Sequence, residues 1–214
     1  MKIDKSLKFV ILYLLIVILF YQYNLKEAKG AEPVSDAESP YHVSIKNFPA
    51  FELPALKNES EKSYLGHTET GNFNIGQIKA KVLIIELFSF YCPHCQRAAP
   101  KVNELYQEMQ KQDAIKEKIK IIGIGVGNSD YEVNSFKNTY QIPFPLFPDK
   151  SMGIFKLLQA RSTPTFIGIK VNENGSLEQF YLREGGFDDI QKFLAEIIKL
   201  SGMESGDKNE QTKK

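Results

Sequence analysis

The sequence predicts an α/β fold in which a central mixed β-sheet is flanked by helices. Residues 82–91 form an apolar run, rich in β-branched and aromatic side chains, that is typical of a buried strand. Residues 96–110 follow with apolar side chains at three- and four-residue steps, which indicates a helix. Farther along, residues 165–171 and 177–182 are typical of two strands joined by a glycine-containing turn at 172–175.

The stretch between these two regions has room for further elements. Its pattern predicts a strand at 120–126, a helix at 131–140, a short segment at 144–147 and a helix at 151–158. A last helix, which begins at Asp188 or Asp189, carries a wide apolar stripe that suits packing against the sheet.

The composition is that of one compact domain with appendages. The chain has 214 residues, is 43% apolar and carries a formal net charge of +1, which suffices for a single α/β core of about 150 residues. Lysines are interleaved with acids, and the sequence contains no glycine-rich phosphate loop. These features argue against nucleic acid as a partner.

The N-terminus predicts export. Three lysines within the first eight residues precede thirteen apolar residues at 9–21, and small residues at 28–30 have the spacing that a signal peptidase reads. A helix of that length spans only about 20 Å of the roughly 30 Å hydrocarbon core, so residues 1–30 are predicted to be a cleaved signal peptide. The alternative is a retained membrane anchor over residues 9–25. In both cases the domain lies outside the cytoplasmic membrane, in the periplasm or its equivalent.

Polar segments flank the predicted domain. Residues 31–47 contain two prolines and predict a linker, and residues 203–214 are low in apolar side chains and predict a flexible tail. The folded domain is therefore expected to span residues 48–202.

Both cysteines of the chain lie in the motif Cys92-Pro93-His94-Cys95, at the predicted junction of strand and helix. The first backbone N–H groups of a helix, together with the macrodipole, stabilise an anion. We therefore expect Cys92 to be the exposed nucleophile with a lowered pKa, and Cys95 to be the buried resolving thiol. Pro93 suits the first helical turn, and His94 would add positive charge near the thiolate.

Other uses of two cysteines fit the sequence less well. A structural zinc site usually takes four ligands, and of the three histidines one lies inside the motif and two are distant in sequence. A c-type haem site needs a histidine directly after the second cysteine, where Gln96 stands. Two cysteines that merely pack in the core remain an alternative. We predict no metal and no cofactor beyond a redox-active Cys92–Cys95 disulfide.

Glu86 is the one acid in the predicted buried strand, six residues before Cys92. Burial of a carboxylate is costly, so its pKa should rise until it exchanges protons near neutral pH. The alternative is an acid at the strand end that pairs with a nearby lysine, Lys79 or Lys81.

These residues carry a family resemblance. Residues 86–95 resemble a thioredoxin-fold active site and are most similar to that of the DsbA-type thiol oxidases. The domain as a whole, over roughly residues 48–200, resembles the TlpA/ResA group of extracytoplasmic thioredoxin-like proteins, on the segments 48–56 and 74–82. The length between Cys95 and Pro164 also favours that group, because it holds an inserted strand–helix unit but not the helical domain of DsbA.

The resemblance implies a thioredoxin fold with an N-terminal extension, and it implies roles for several residues. Thr163–Pro164 would be the cis-proline loop that faces the dithiol, and Tyr91 would join it in binding substrate. Glu86 would accept, through a water, the proton of Cys95. DsbA-type enzymes usually have valine before this proline, so Thr163 disfavours an oxidase.

The resemblance further implies a thiol–disulfide oxidoreductase that acts on exported proteins through a mixed disulfide at Cys92. The TlpA/ResA group implies the reducing direction, for example on apocytochrome c, with electrons from a membrane partner such as a DsbD/CcdA-type donor. The alternatives are a DsbA-like oxidase and a polypeptide-binding module with an idle dithiol. A peroxiredoxin is disfavoured, since those enzymes need a threonine ahead of their cysteine, and Tyr91 precedes Cys92.

Overall fold

A computed structural model of the protein describes residues 40–203. The predicted signal peptide or anchor, the linker up to residue 39 and the tail from residue 204 lie outside the described residues. The strands are β1 (His42–Lys46), β2 (Glu52–Leu53), β3 (Phe73–Asn74), β4 (Val82–Phe88), β5 (Ile119–Val126), β6 (Leu146–Asp149), β7 (Thr165–Val171) and β8 (Leu177–Glu184). The helices are α1 (Glu59–Leu65), α2 (Pro93–Lys111), α3 (Asp130–Tyr140), α4 (Gly153–Leu157) and α5 (Ile190–Ser201). No helix within residues 40–203 is long and apolar enough to cross a membrane.

The central sheet is mixed, as predicted, and its strands follow the order β1-β8-β7-β4-β5-β6. Strand β4 pairs in parallel with β5 and antiparallel with β7, and all seven of its residues are buried. A strand that is covered on both faces reads as a continuous apolar run, which is why residues 82–91 stand out in the sequence. The short strands β2 and β3 form a separate antiparallel pair.

The two faces of the sheet pack against different parts of the chain. Ile84 and Phe88 of β4 belong to an apolar cluster that also contains the buried residues of α2, α3 and α5. Leu83, Ile85 and Leu87 belong to a second cluster with the N-terminal segment of the domain and α1. Because side chains alternate along a strand, Glu86 points to the same face as Ile84 and Phe88, under α2.

The predicted inserted unit lies between β5 and β7. It comprises α3, β6 and α4, and β6 extends the sheet by pairing in parallel with β5. Strand β6 begins two residues later than the segment predicted at 144–147, and α4 is shorter than the helix predicted at 151–158. Helix α5 begins after Asp189, whose side chain caps it, in agreement with the sequence.

The predicted linker is wrong for residues 42–46, which form strand β1. This strand pairs antiparallel with β8 at the edge of the sheet, and three of its five residues are exposed. An edge strand is held by backbone hydrogen bonds to one neighbour and needs few apolar side chains, so a short polar example gives almost no sequence signal. The ordered domain therefore begins before residue 48.

An aromatic cluster under α5 dominates one end of the core. The ring of Phe193 lies 4.2 Å from that of Phe187 and 5.5 Å from that of Phe166, centroid to centroid. Phe193→Ala should lower the free energy of unfolding by about 3–5 kcal/mol, since it removes a large buried ring and leaves a cavity. Urea denaturation measures the loss. Tyr131→Ala, which removes a ring that is 80% exposed, should cost less than about 0.5 kcal/mol, and equal losses in both variants would contradict this packing.

Candidate active site

Cys92 is the N-cap residue of α2, at the point where the chain leaves β4 and turns into the helix. Its Sγ accepts a hydrogen bond from the backbone N–H of Cys95, with a donor–acceptor distance of 3.4 Å. Pro93 occupies the first helical turn, where its missing N–H costs nothing. The helix thus begins at Pro93, three residues earlier than the predicted start at 96, because the motif itself forms the first turn.

The two thiols lie in different environments, and both are free in this structure. Cys92 is partly exposed, whereas Cys95 is fully buried against the core. Burial raises the pKa of the Cys95 thiol far above its ordinary value, and its hydrogen bond with the Cys92 thiol adds to the effect. The two thiols therefore differ in both access and acidity.

The Cys92 thiol has a lowered pKa despite partial burial. Desolvation acts to raise that pKa, but hydrogen bonds from Thr163, from the Cys95 thiol and from the backbone N–H groups of Cys95 and His94 outweigh it. The lowered pKa agrees with the position of Cys92 at the helix N-terminus, and its role as the nucleophile stays a prediction.

The loop before β7 faces this sulfur. The Thr163–Pro164 peptide bond is cis, as the family resemblance implies, and Cys92 Sγ lies 3.3 Å from the carbonyl oxygen of Thr163. The loop is held by the residue that follows β8, since the carbonyl of Pro164 accepts a 2.8 Å hydrogen bond from the N–H of Gly185. The structure therefore brings Thr163 and Pro164 to the dithiol, 71 residues from Cys92 along the chain.

Glu86 lies beneath the same face and is 2% exposed. Burial raises the pKa of its carboxyl to about 8. Among residues 40–203 its side chain forms no ion pair or hydrogen bond, so the expected alternative of a pair with Lys79 or Lys81 is absent there. The structure places a buried acid with a raised pKa on the α2 side of β4, and its role toward Cys95 stays a prediction.

Sequence reasoning missed the side chains that hold the segment between β4 and Cys92. The N–H of Phe90 donates to Asn128 Oδ1 at 2.7 Å, and the carbonyl of Phe90 accepts from Gln96 Nε2 at 2.8 Å. Asn128 is fully buried, and its Nδ2 also donates to Ser89 Oγ at 3.4 Å. The available signal was the turn at 127–129 directly after β5, because the carboxyl ends of parallel neighbours meet at one edge of the sheet.

Tyr91 is held by the start of α3. Its hydroxyl donates to the carboxylate of Glu132, which also accepts from the N–H and hydroxyl of Ser129 in a capping box. These hydrogen bonds, that from Tyr91 first, lower the pKa of Glu132 to about 2. The ring of Tyr91 is 65% exposed beside Cys92, a position that suits contact with a substrate.

The side chain of His94 contacts Arg97. Its Nδ1 lies 3.0 Å from a guanidinium nitrogen of Arg97, and the contact of His94 with Cys92 is made by its backbone N–H. The predicted positive charge from this ring therefore stays a prediction. In the described part of the chain no group of three or more histidine, cysteine or acidic side chains could hold a metal ion.

Comparisons with known proteins agree with this geometry. A model described as the AhpC/TSA family matches residues 46–182. The thiol-disulfide oxidoreductase ResA of Halalkalibacterium halodurans is 26% identical over 133 residues, which are 61% of this chain and 70% of that protein.

Two solved structures share the fold at low sequence identity. The Chlorobium tepidum protein described as a thiol:disulfide interchange protein DsbE has a TM-score of 0.56 and 15% identity, over 75% of this chain and 99% of that one. A secreted Mycobacterium tuberculosis disulfide oxidoreductase homologous to DsbE of E. coli has a TM-score of 0.50 and 13% identity, over 70% and 95%.

The raised pKa of Glu86 predicts a pH-dependent stability. The folded protein holds this proton more tightly than the unfolded chain, so the free energy of unfolding should fall as the pH rises from about 4.5 to about 8. Within that interval the slope contributed by Glu86 is roughly 1.4 kcal/mol per pH unit, and outside it the contribution is flat. Urea denaturation across this range should show the slope in the wild type and not in Glu86→Gln. Parallel profiles for the two proteins would contradict the assignment.

The buried Asn128 predicts a link between loop anchoring and thiol acidity. Asn128→Ala leaves the N–H of Phe90 without its acceptor and should cost about 1–3 kcal/mol. It should also move the pKa of Cys92 toward its ordinary value, as followed by thiolate absorbance against pH. The matched control is Asn103→Ala, since Asn103 Nδ2 donates to the carbonyl of Tyr140 at 2.8 Å. That variant should lose stability without a change in Cys92, and a similar change in both would refute the link.

Proposed function

Because the chain belongs to the AhpC/TSA family, we propose that it is a thiol–disulfide oxidoreductase that reduces disulfides of exported proteins through Cys92 and Cys95. The observation that carries this proposal is that the pKa values of two neighbouring thiols, Cys92 and Cys95, are shifted in opposite directions. The accessible thiol has a lowered pKa, and the buried one has a raised pKa, within reach of a cis-proline loop.

The order of steps follows from this asymmetry. The Cys92 thiolate attacks a substrate disulfide, the substrate S–S bond breaks, and one substrate sulfur leaves and takes up a proton. Cys95 then loses its proton and attacks Cys92 Sγ, which releases the second substrate thiol and forms the Cys92–Cys95 disulfide. The substrate gains two electrons and the dithiol loses two. Glu86 suits the role of proton acceptor for Cys95, through a water, because its carboxyl exchanges protons near neutral pH.

The reducing direction is supported by the relatives and by the scaffold. The relative from Halalkalibacterium halodurans carries the name ResA. The unit between β5 and β7 consists of a strand and helices, as expected for the TlpA/ResA group, and resemblance to that group implies the reducing direction. Turnover in this direction requires a donor that returns two electrons to the Cys92–Cys95 disulfide. We propose a membrane partner of the DsbD/CcdA type, with the domain outside the cytoplasmic membrane, where its N-terminal sequence would deliver it.

One observation favours a second candidate, a DsbA-like oxidase. Donors that lower the pKa of Cys92 stabilise the reduced form and so make the disulfide more oxidising. The reduction potential decides between the two directions. A value near about −270 mV supports the reductase, and a value near about −120 mV overturns it in favour of the oxidase.

Cysteine variants test the enzymatic proposal itself. Cys92→Ser should abolish disulfide exchange, since it removes the attacking sulfur. Cys95→Ser should instead accumulate a mixed disulfide with a peptide substrate, because nothing resolves it, and mass spectrometry of the intact protein should show a one-to-one adduct. A polypeptide-binding module with an idle dithiol predicts that Cys92→Ser retains function and that no adduct forms, and that result would replace the proposal.

A further inference from the structure

A groove runs along the exposed side of the active-site helix. It lies between the N-terminal half of α2 and the loop that joins β8 to α5, with a volume of about 370 Å³. His94, Arg97 and Lys101 line its helix side, at spacings of three and four residues that place them on one face. Gly186 and Asp188 line the opposite side.

The cations of this groove are not explained by helix stability. Negative side chains near a helix N-terminus are favourable, and α1 and α3 both carry two acids in their first turns. Helix α2 carries none there, and the sequence from 93 to 103 contains no acid. Within residues 40–203, Arg97 and Lys101 form no ion pair.

The opposite side of the groove is fixed in place. The Nε of Arg183 donates to the carbonyl of Gly186 at 2.9 Å, and Asp189 is engaged as the cap of α5 through the N–H of Lys192. Asp188 is exposed, and it is the single carboxylate among the groove residues. Arg97 and Lys101 therefore give the groove a positive field, which the single carboxylate of Asp188 does not cancel.

The distances relate this groove to a polypeptide bound at Cys92. With a rise of 1.5 Å per residue, Arg97 lies about 8 Å and Lys101 about 14 Å along the helix axis from Cys92. An extended substrate covers about 3.4 Å per residue, so for a substrate that runs parallel to α2 these cations lie opposite positions two to four residues from its reactive cysteine.

We propose that this groove binds an acidic segment of the substrate polypeptide, two to four residues from the cysteine that Cys92 attacks. The inference rests on the proposed disulfide exchange and adds the substrate class. Arg97 and Lys101 are specificity-determining residues in this scheme, and they take no part in the bond changes at sulfur.

Three disulfide-linked peptide pairs test the proposal, with Asp and Glu, with Ser and Gly, or with Lys at the flanking positions. Single-turnover rates with the reduced full-length protein should be about 5-fold higher for the acidic pair than for the neutral pair, and lowest for the basic pair. Raising the ionic strength from about 0.02 M to about 0.5 M should remove most of the preference. The double variant Arg97→Glu with Lys101→Glu should reverse the order of acidic and basic pairs.

The matched control is Lys46→Glu, a charge reversal at an exposed position of β1, which should leave the order unchanged. If the wild type reduces all three pairs equally, the groove proposal fails while disulfide exchange stands. If it reduces none, the proposed function fails as well. A preference that survives the double variant overturns the groove as its source. Sedimentation with phosphatidylglycerol vesicles that depends on Arg97 and Lys101, without a peptide preference, would assign the groove to a membrane surface instead.

Discussion

The burial of β4 on both faces, between β5 and β7, is the constraint on which the rest of the structure depends. All seven of its residues are buried, and the segment that carries Cys92 begins where the strand ends at Phe88. The same register fixes what meets that end, since Leu87 lies opposite Thr165 of β7 and Phe88 opposite Gly125 of β5. The proline loop before Thr165 and the Asn128 turn after β5 therefore converge on the segment that carries Cys92.

The two thiols differ in acidity because they lie at different depths within this junction. Cys92 lies at the N-cap, where unpaired N–H groups point toward its sulfur, and Cys95 lies one turn farther in, against the core. Glu86 is buried on the same side of the sheet. The pKa of Cys92 is lowered, whereas burial raises the pKa of Cys95 and of Glu86, so the outer sulfur ionises more easily than the inner one.

Local patterning predicted much of this arrangement, and its limits have physical causes. Strand β4, helix α2 and the β7–β8 pair repeat apolar side chains at clear periods, and the cysteine spacing marks the site. Strand β1 escaped prediction because backbone pairing with β8 holds it without an apolar pattern. The Asn128 anchor escaped for another reason, since its partner Phe90 is 38 residues away and the contact exists only because β5 lies beside β4.

The position of His94 bears on the conflict between an oxidase-like motif and a reductase-like scaffold. The Nδ1 of His94 lies 3.0 Å from a guanidinium nitrogen of Arg97, and a guanidinium group can only donate hydrogen bonds. The ring therefore joins the face that lines the groove, and the thiolate is stabilised by backbone N–H groups and Thr163. The dipeptide between the cysteines thus contributes to the lowered pKa of Cys92 through the backbone N–H of His94.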